Sequence, residues 1–152
     1  LQRVSGGAVA TFRGVGEIAR LVVPSPAPPV RTQNLWQSTC FELFLAGQGE
    51  SYREFNFSPS GAWAAYAFDS HRHGMSNARA NVEIQILKSD KLLSLVAEIK
   101  TEIPDPAHIG MTAVIAEADG AIRYWATSFA PGEPDFHAAA VRSLILDGVS
   151  AQ

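Results

Sequence analysis

A carboxylate at Glu42, a carboxamide at Asn56 and an indole at Trp63 fall in three successive segments of alternating polar and apolar side chains. A carboxylate accepts hydroxyl protons on two oxygens, a carboxamide both donates and accepts, and an indole offers a flat apolar surface. These are the groups needed to hold a polar ring such as a pyranose. Its C–H face packs on an aromatic, and its hydroxyl edge needs hydrogen bonds. Arg31 and Arg72 are further charged donors that would favour an acidic sugar or a reducing end.

The alternation predicts how these groups are positioned. Along the first segment Phe41, Leu43 and Leu45 alternate with Cys40, Glu42 and Phe44. Along the second, Phe55 and Phe57 alternate with Glu54, Asn56 and Ser58, and Pro59-Ser60-Gly61 then reads as a turn. The third sets Tyr66 and Phe68 against Trp63, Ala65 and Ala67. A period of two sends successive side chains to opposite faces of a sheet. The expectation is one apolar face making core and a second face carrying Glu42, Asn56 and Trp63 above a floor of alanines.

A second constellation competes with the first. His71 and His73, two residues apart, would face the same way on an extended segment and could share a metal with Glu54 or Asp69. Either histidine with Met75 could ligate haem iron. A solvated polar loop is the alternative, and His137 is expected to hydrogen-bond its own loop with Asp135. The bland readings of the first constellation also stand: Trp63 and Trp125 as packing residues, Trp36 as a cap on the end of the fold, and Glu42 as a cross-strand partner of Arg53 or Arg123.

The chain has 152 residues, enough for one domain with a substantial core. Apolar residues at 47% against 18% charged exclude general disorder. A net charge of −3 provides no basic field for nucleic acid or an anionic membrane. No apolar run reaches the roughly 18 residues of a membrane helix. The single cysteine, Cys40, excludes an intrachain disulfide and a cysteine-rich zinc site. It is read as a small, partly buried residue, and it favours a cytoplasmic over a periplasmic location while leaving localisation open. No nucleophile elbow, phosphate loop or dinucleotide fingerprint is present, and no catalysis is expected.

The surrounding elements read as almost wholly β. Residues 8–13 and 17–22 predict an opening hairpin around Gly14-Val15-Gly16, and the proline-rich stretch 24–29 an extended loop. A polar loop over 69–79 precedes strands near 82–86 and 92–99, joined by a turn at 89–91. Residues 111–118 and 121–127 predict a hairpin around Asp119-Gly120. The loop 130–137 leads to a short helix, and residues 143–146 close the fold. About nine or more short strands with Pro/Gly turns argue for an all-β, antiparallel sandwich of immunoglobulin-like or jelly-roll type over residues 1–152.

The runs LWxxTCFExFLA at 35–46, YxEFNFSPSGxWAAY at 52–66, WAT at 125–127 and PxxPDFH at 131–137 resemble the DOMON-like group of bacterial proteins, itself similar to family 9 carbohydrate-binding modules. The resemblance covers residues 30–147. It implies a β-sandwich with one further N-terminal strand, so with Leu1 in place of an initiating Met a trimmed N-terminus is expected. It also implies a non-catalytic module that holds a sugar between two tryptophan rings. By motif position Trp36 takes the first ring, Glu42 the carboxylate and Trp125 the opposing ring, with Asn56 as a polar contact and Trp63 and Arg72 assisting. The acidic calcium clusters of some such modules have no counterpart here, and no structural calcium is expected. Sugar binders and haem binders both occur among the wider relatives, so haem through His71, His73 and Met75 stays open, as does a protein-interaction role for the tryptophans.

Overall fold

The computed structural model describes residues 1–148, and in it strands account for nearly all the regular structure. In chain order they are β1 (Gln2–Val4), β2 (Gly7–Val15), β3 (Cys40–Ala46), β4 (Tyr52–Phe57), β5 (Trp63–Phe68), β6 (Ser76–Asn77), β7 (Asn81–Lys88), β8 (Leu92–Lys100), β9 (Ala107–Ala116), β10 (Ile122–Ala126) and β11 (Leu144–Leu146). Three single 3-10 turns, Ile18–Arg20, Leu35–Gln37 and Ala139–Val141, complete the set.

Two antiparallel sheets result. The smaller has the order β1-β2-β8-β7; the larger runs β10-β9-β3-β4-β5-β6, with β11 joining β9 beyond the end of β10. The apolar half of each alternation makes a core shared by both sheets. Phe12 of β2 packs on Phe41 and Phe57 across the sheets, with ring centroids 5.0 and 6.1 Å apart. Leu43, Leu45 and Phe55 meet Leu93, Leu95 and Ile99, and all six are essentially inaccessible to solvent. Full burial of each such side chain contributes about 1.5–3 kcal/mol. This is the all-β sandwich that the alternation predicts.

Two local expectations fail. Residues 17–22 do not form a strand. They hold the 3-10 turn Ile18–Arg20, and a lone bridge joins Leu21 to Glu117. The opening hairpin is β1–β2, around Ser5-Gly6, and β2 pairs with β8 along its whole length. Ile18 is what the pattern missed: it turns inward to join the core instead of alternating along a strand.

The second failure concerns faces. Phe57 pairs with Trp63 and Asn56 with Ala64, so even-numbered residues of β4 and β5 share one face and odd-numbered residues the other. Trp63, Ala65 and Ala67 therefore belong to the core side, whereas Tyr66 and Phe68 stand with Glu42 and Asn56 on the outer face. The five residues from Ser58 to Ala62 set this register. Ser58 and Ala62 close the hairpin by a backbone hydrogen bond of 3.0 Å, and Gly61, at φ 95°, adopts the backbone its turn needs.

The outer face of the large sheet is covered at both ends. At one end lies the turn Leu35–Gln37, entered through Asn34 in the left-handed region. At the other, residues 128–142 cross the sheet and place Phe136 against Phe44, centroids 6.5 Å apart. Gly110 of β9 lies directly beneath Val141, where a Cβ would run into the Val141 carbonyl. A cleft is left between the two covers.

Candidate functional site

The cleft has a volume of about 1120 Å³ and is floored by the even-numbered residues of β3 and β4. Glu42 pairs with Asn56 on one side and Thr112 on the other; one step along, Phe44 pairs with Glu54, and Glu54 with Tyr66. Glu42 and Glu54 are thus diagonal neighbours on one face, a relation that sets Cα atoms about 7–8 Å apart. Both are buried, at 2% and 6% exposure, and both reach the cleft.

The electrostatics of this floor are unusual. Glu42 accepts a hydrogen bond from the Thr112 hydroxyl at 2.9 Å, and no arginine or lysine among the described residues pairs with it or with Glu54. Burial first, and the charge of Glu54 second, push the Glu42 carboxyl far above the ordinary carboxylate range, with the Thr112 hydroxyl opposing. Burial raises Glu54 as well, against the nearby Asn56 amide and Arg72. Asn56 itself is wholly inaccessible; neither its Oδ1 nor its Nδ2 makes a hydrogen bond of ordinary geometry, and the polar group it acts on is the Glu54 carboxyl. A buried, unpaired polar atom costs about 1–3 kcal/mol, so folding here leaves binding capacity unspent.

The cations that could have neutralised this floor are engaged elsewhere. Arg31 donates to the carbonyls of Ala65 (2.6 Å) and Ala78 (2.8 Å), and its guanidinium lies 4.7 Å from the Trp63 ring centroid. Arg53 stands at the core-side edge, donating to Thr101 and the Glu102 carbonyl, and Arg123 pairs with Glu117. Neither reaches Glu42, so cross-strand pairing does not explain that residue.

One wall is a hydrogen-bonded group of side chains from four segments. Tyr52 accepts the Arg72 backbone N–H at 3.1 Å and shares a hydrogen bond of 2.7 Å with His137 Nδ1. On the other side of the ring His137 Nε2 lies 3.6 Å from Glu54 Oε2. Burial, and after it the charge of Arg72, lower the His137 pKa to about 4, so the ring is neutral at pH 7. Asp135 receives His71 Nε2 at 2.7 Å, an Arg72 guanidinium N–H at 2.8 Å and the His137 backbone N–H at 3.0 Å. Burial alone would raise this carboxyl, but the three hydrogen bonds outweigh it and hold the pKa at about 2. Arg72 is a non-glycine residue at φ 57°, a backbone that costs free energy and is held here by Tyr52 and Asp135.

The remaining walls are aromatic. Trp36, half exposed on its 3-10 turn, stands at one side; Tyr66 and Phe68 of β5, Tyr124 of β10 and Phe136 complete the lining, with Tyr124 and Phe136 in an edge contact at 5.8 Å.

Of the residues expected at the site, Trp36, Glu42 and Arg72 line the cleft; Asn56 shares the face of Glu42 but is wholly buried and does not itself line it. Trp63 does not: it is 6% exposed in the core on the other face, under Arg31. Trp125 does not either, because it pairs with Ala113, a core-side residue, and its neighbour Tyr124 takes the cleft side. His71 and His73 lie in a tight turn closed by hydrogen bonds between Ser70 and His73, not on an extended segment. His71 is spent on Asp135, Met75 lines the cleft, and no group of three histidine, cysteine or acidic side chains among the described residues is placed to hold a metal. Cys40 is buried in the outer face of β3.

Sequence reasoning passed over Tyr66, Tyr124, Phe136 and His137 as site members and named Glu54 only as a possible metal partner of the histidines. Glu54 and Tyr66 were within reach of it, since the even-to-even pairing across 58–62 puts both beside Asn56. His137 and Phe136 carry no local signal, because a crossing segment brings them to the sheet. Comparison with known protein families, curated proteins and solved structures gives no match for this chain.

Proposed function

We propose that the protein is a non-catalytic binding module for a carbohydrate or sugar-like small molecule, held in the cleft over β3 and β4. The observation that carries this reading is the Asn56 amide, wholly buried without a hydrogen bond of ordinary geometry, beside two buried carboxyls with which no arginine or lysine among the described residues forms an ion pair. An aromatic-lined cleft over such a floor offers a pyranose what it needs: Trp36, Tyr66 or Tyr124 for its C–H face, and Glu42 and Asn56 for its hydroxyls. Resemblance to the DOMON-like group and family 9 carbohydrate-binding modules points the same way. Ligand pockets commonly span about 300–1,000 Å³, so the cleft has room for more than one ring.

The test is tryptophan fluorescence titrated with mono- and oligosaccharides on the native protein, Trp36→Ala and Glu42→Gln. Saturable quenching or enhancement that both substitutions abolish supports the reading. A flat response across the panel from folded protein would refute it.

A further inference from the structure

The cleft floor carries more acid than a neutral sugar can satisfy. Resting on the sugar-binding reading, we propose that the module selects an aminated sugar, its ammonium seated between Glu42 and Glu54 and its ring against the aromatic walls. The two glutamates face the cleft from adjacent strands as diagonal neighbours, close enough for one ammonium to bond both. Beside both lies the buried Asn56 amide, which acts on Glu54 and makes no other polar contact, so it can share in holding the ammonium or an adjoining hydroxyl.

Every other charged or titratable group facing this pair is accounted for. Arg72 is bound to Asp135, which also takes His71; His137 is neutral, with Nε2 3.6 Å from Glu54. Arg142 lies over the Tyr52 ring, 4.4 Å from its centroid, and Arg31 is bound to the Ala65 and Ala78 carbonyls. Cys40 on β3, Tyr52 on β4 and Tyr66 on β5 are held neutral by burial. Among the described residues no arginine or lysine forms an ion pair with either glutamate, Arg72 acting on Glu54 only from a distance, and aromatic rings around a desolvated carboxylate favour a cation from outside. Seating it is an exchange. The ammonium enters with its charge, a glutamic acid gives up its proton to solvent, and the carboxylate left behind pairs with the ligand. A neutral sugar binds without that exchange.

Isothermal titration calorimetry near pH 6, in two buffers of different ionisation enthalpy, reads both quantities. The probes are glucosamine and its β-1,4 tetramer against glucose and cellotetraose. Expected are affinities about tenfold or more higher for the aminated series, with release of up to about one proton per site. Glu42→Gln or Glu54→Gln should erase that preference, whereas Glu98→Gln, on the far sheet, should keep it. Equal affinity for the two series with no proton release overturns this inference and leaves the sugar-binding reading standing. Binding by neither series overturns both. A preference that survives in both glutamine variants also overturns it, and proton release from the native protein decides the matter if a variant does not fold.

Discussion

Replacing Asn56 with leucine should make the protein more stable while destroying its site. The side chain is wholly buried, and both its amide atoms lack a partner. Each such atom costs about 1–3 kcal/mol, so the amide as a whole penalises the folded state by on the order of 2–4 kcal/mol. Leucine has the same branched heavy-atom outline and no polar atom but is bulkier, and its misfit against Glu42 and Ala64 returns about 1 kcal/mol of that. The net expectation is a gain of about 1–3 kcal/mol. For a chain of this length that raises the melting temperature by roughly 2–10 °C. Urea unfolding is the assay: the midpoint should rise with the slope unchanged, and sugar binding should vanish in the same protein. An ordinary structural asparagine behaves oppositely. If Asn56→Leu lowers stability by about 1 kcal/mol or more, the amide is satisfied in the folded protein and the argument from the unpaired floor collapses.

Other consequences are equally open to measurement. Glu42 and Glu54 have folded pKa values raised from 4.5 to about 8 and about 7. They hold protons more tightly folded than unfolded, so their stabilising contribution is full below the unfolded value and is lost as pH rises through the folded ones. His137, lowered from 6.5 to about 4, works in the opposite sense, its contribution disappearing as pH falls through that range. Denaturation midpoints should therefore peak in mildly acidic solution. Glu42→Gln should flatten the alkaline fall by on the order of a few kcal/mol, and an unchanged profile would contradict the burial of that carboxyl. Tyr52→Phe strips a partner from both His137 Nδ1 and the Arg72 amide, and a loss of about 1–3 kcal/mol is expected by urea unfolding. Gly110→Ala drives a methyl into the Val141 carbonyl and lifts the covering segment from the sheet. Thermal melts should show a loss of about 1–3 kcal/mol, and a neutral outcome would mean that this cover packs loosely.

The sequence by itself determined the sheets. Alternation in β3, β4, β8 and β9 requires one buried face per strand, and the tight turns at 58–62 and 117–121 join neighbours, so an antiparallel sandwich follows from local chemistry. The same alternation put Glu42 and Asn56 on one face. Local chemistry did not reach the face of Trp63, because the five-residue connection decides parity and a different closure would have reversed it. It also missed Ile18, which a single turn carries into the core. The walls of the cleft were decided by tertiary structure alone. Phe136 and His137 lie 80 or more residues from Tyr52 in sequence, as the Tyr52–His137 hydrogen bond makes plain, and they come to β4 only because residues 128–142 cross the sheet above Gly110. The pKa values follow the same division: a glutamate reads alike in any strand, and only packing on both sides removes its water.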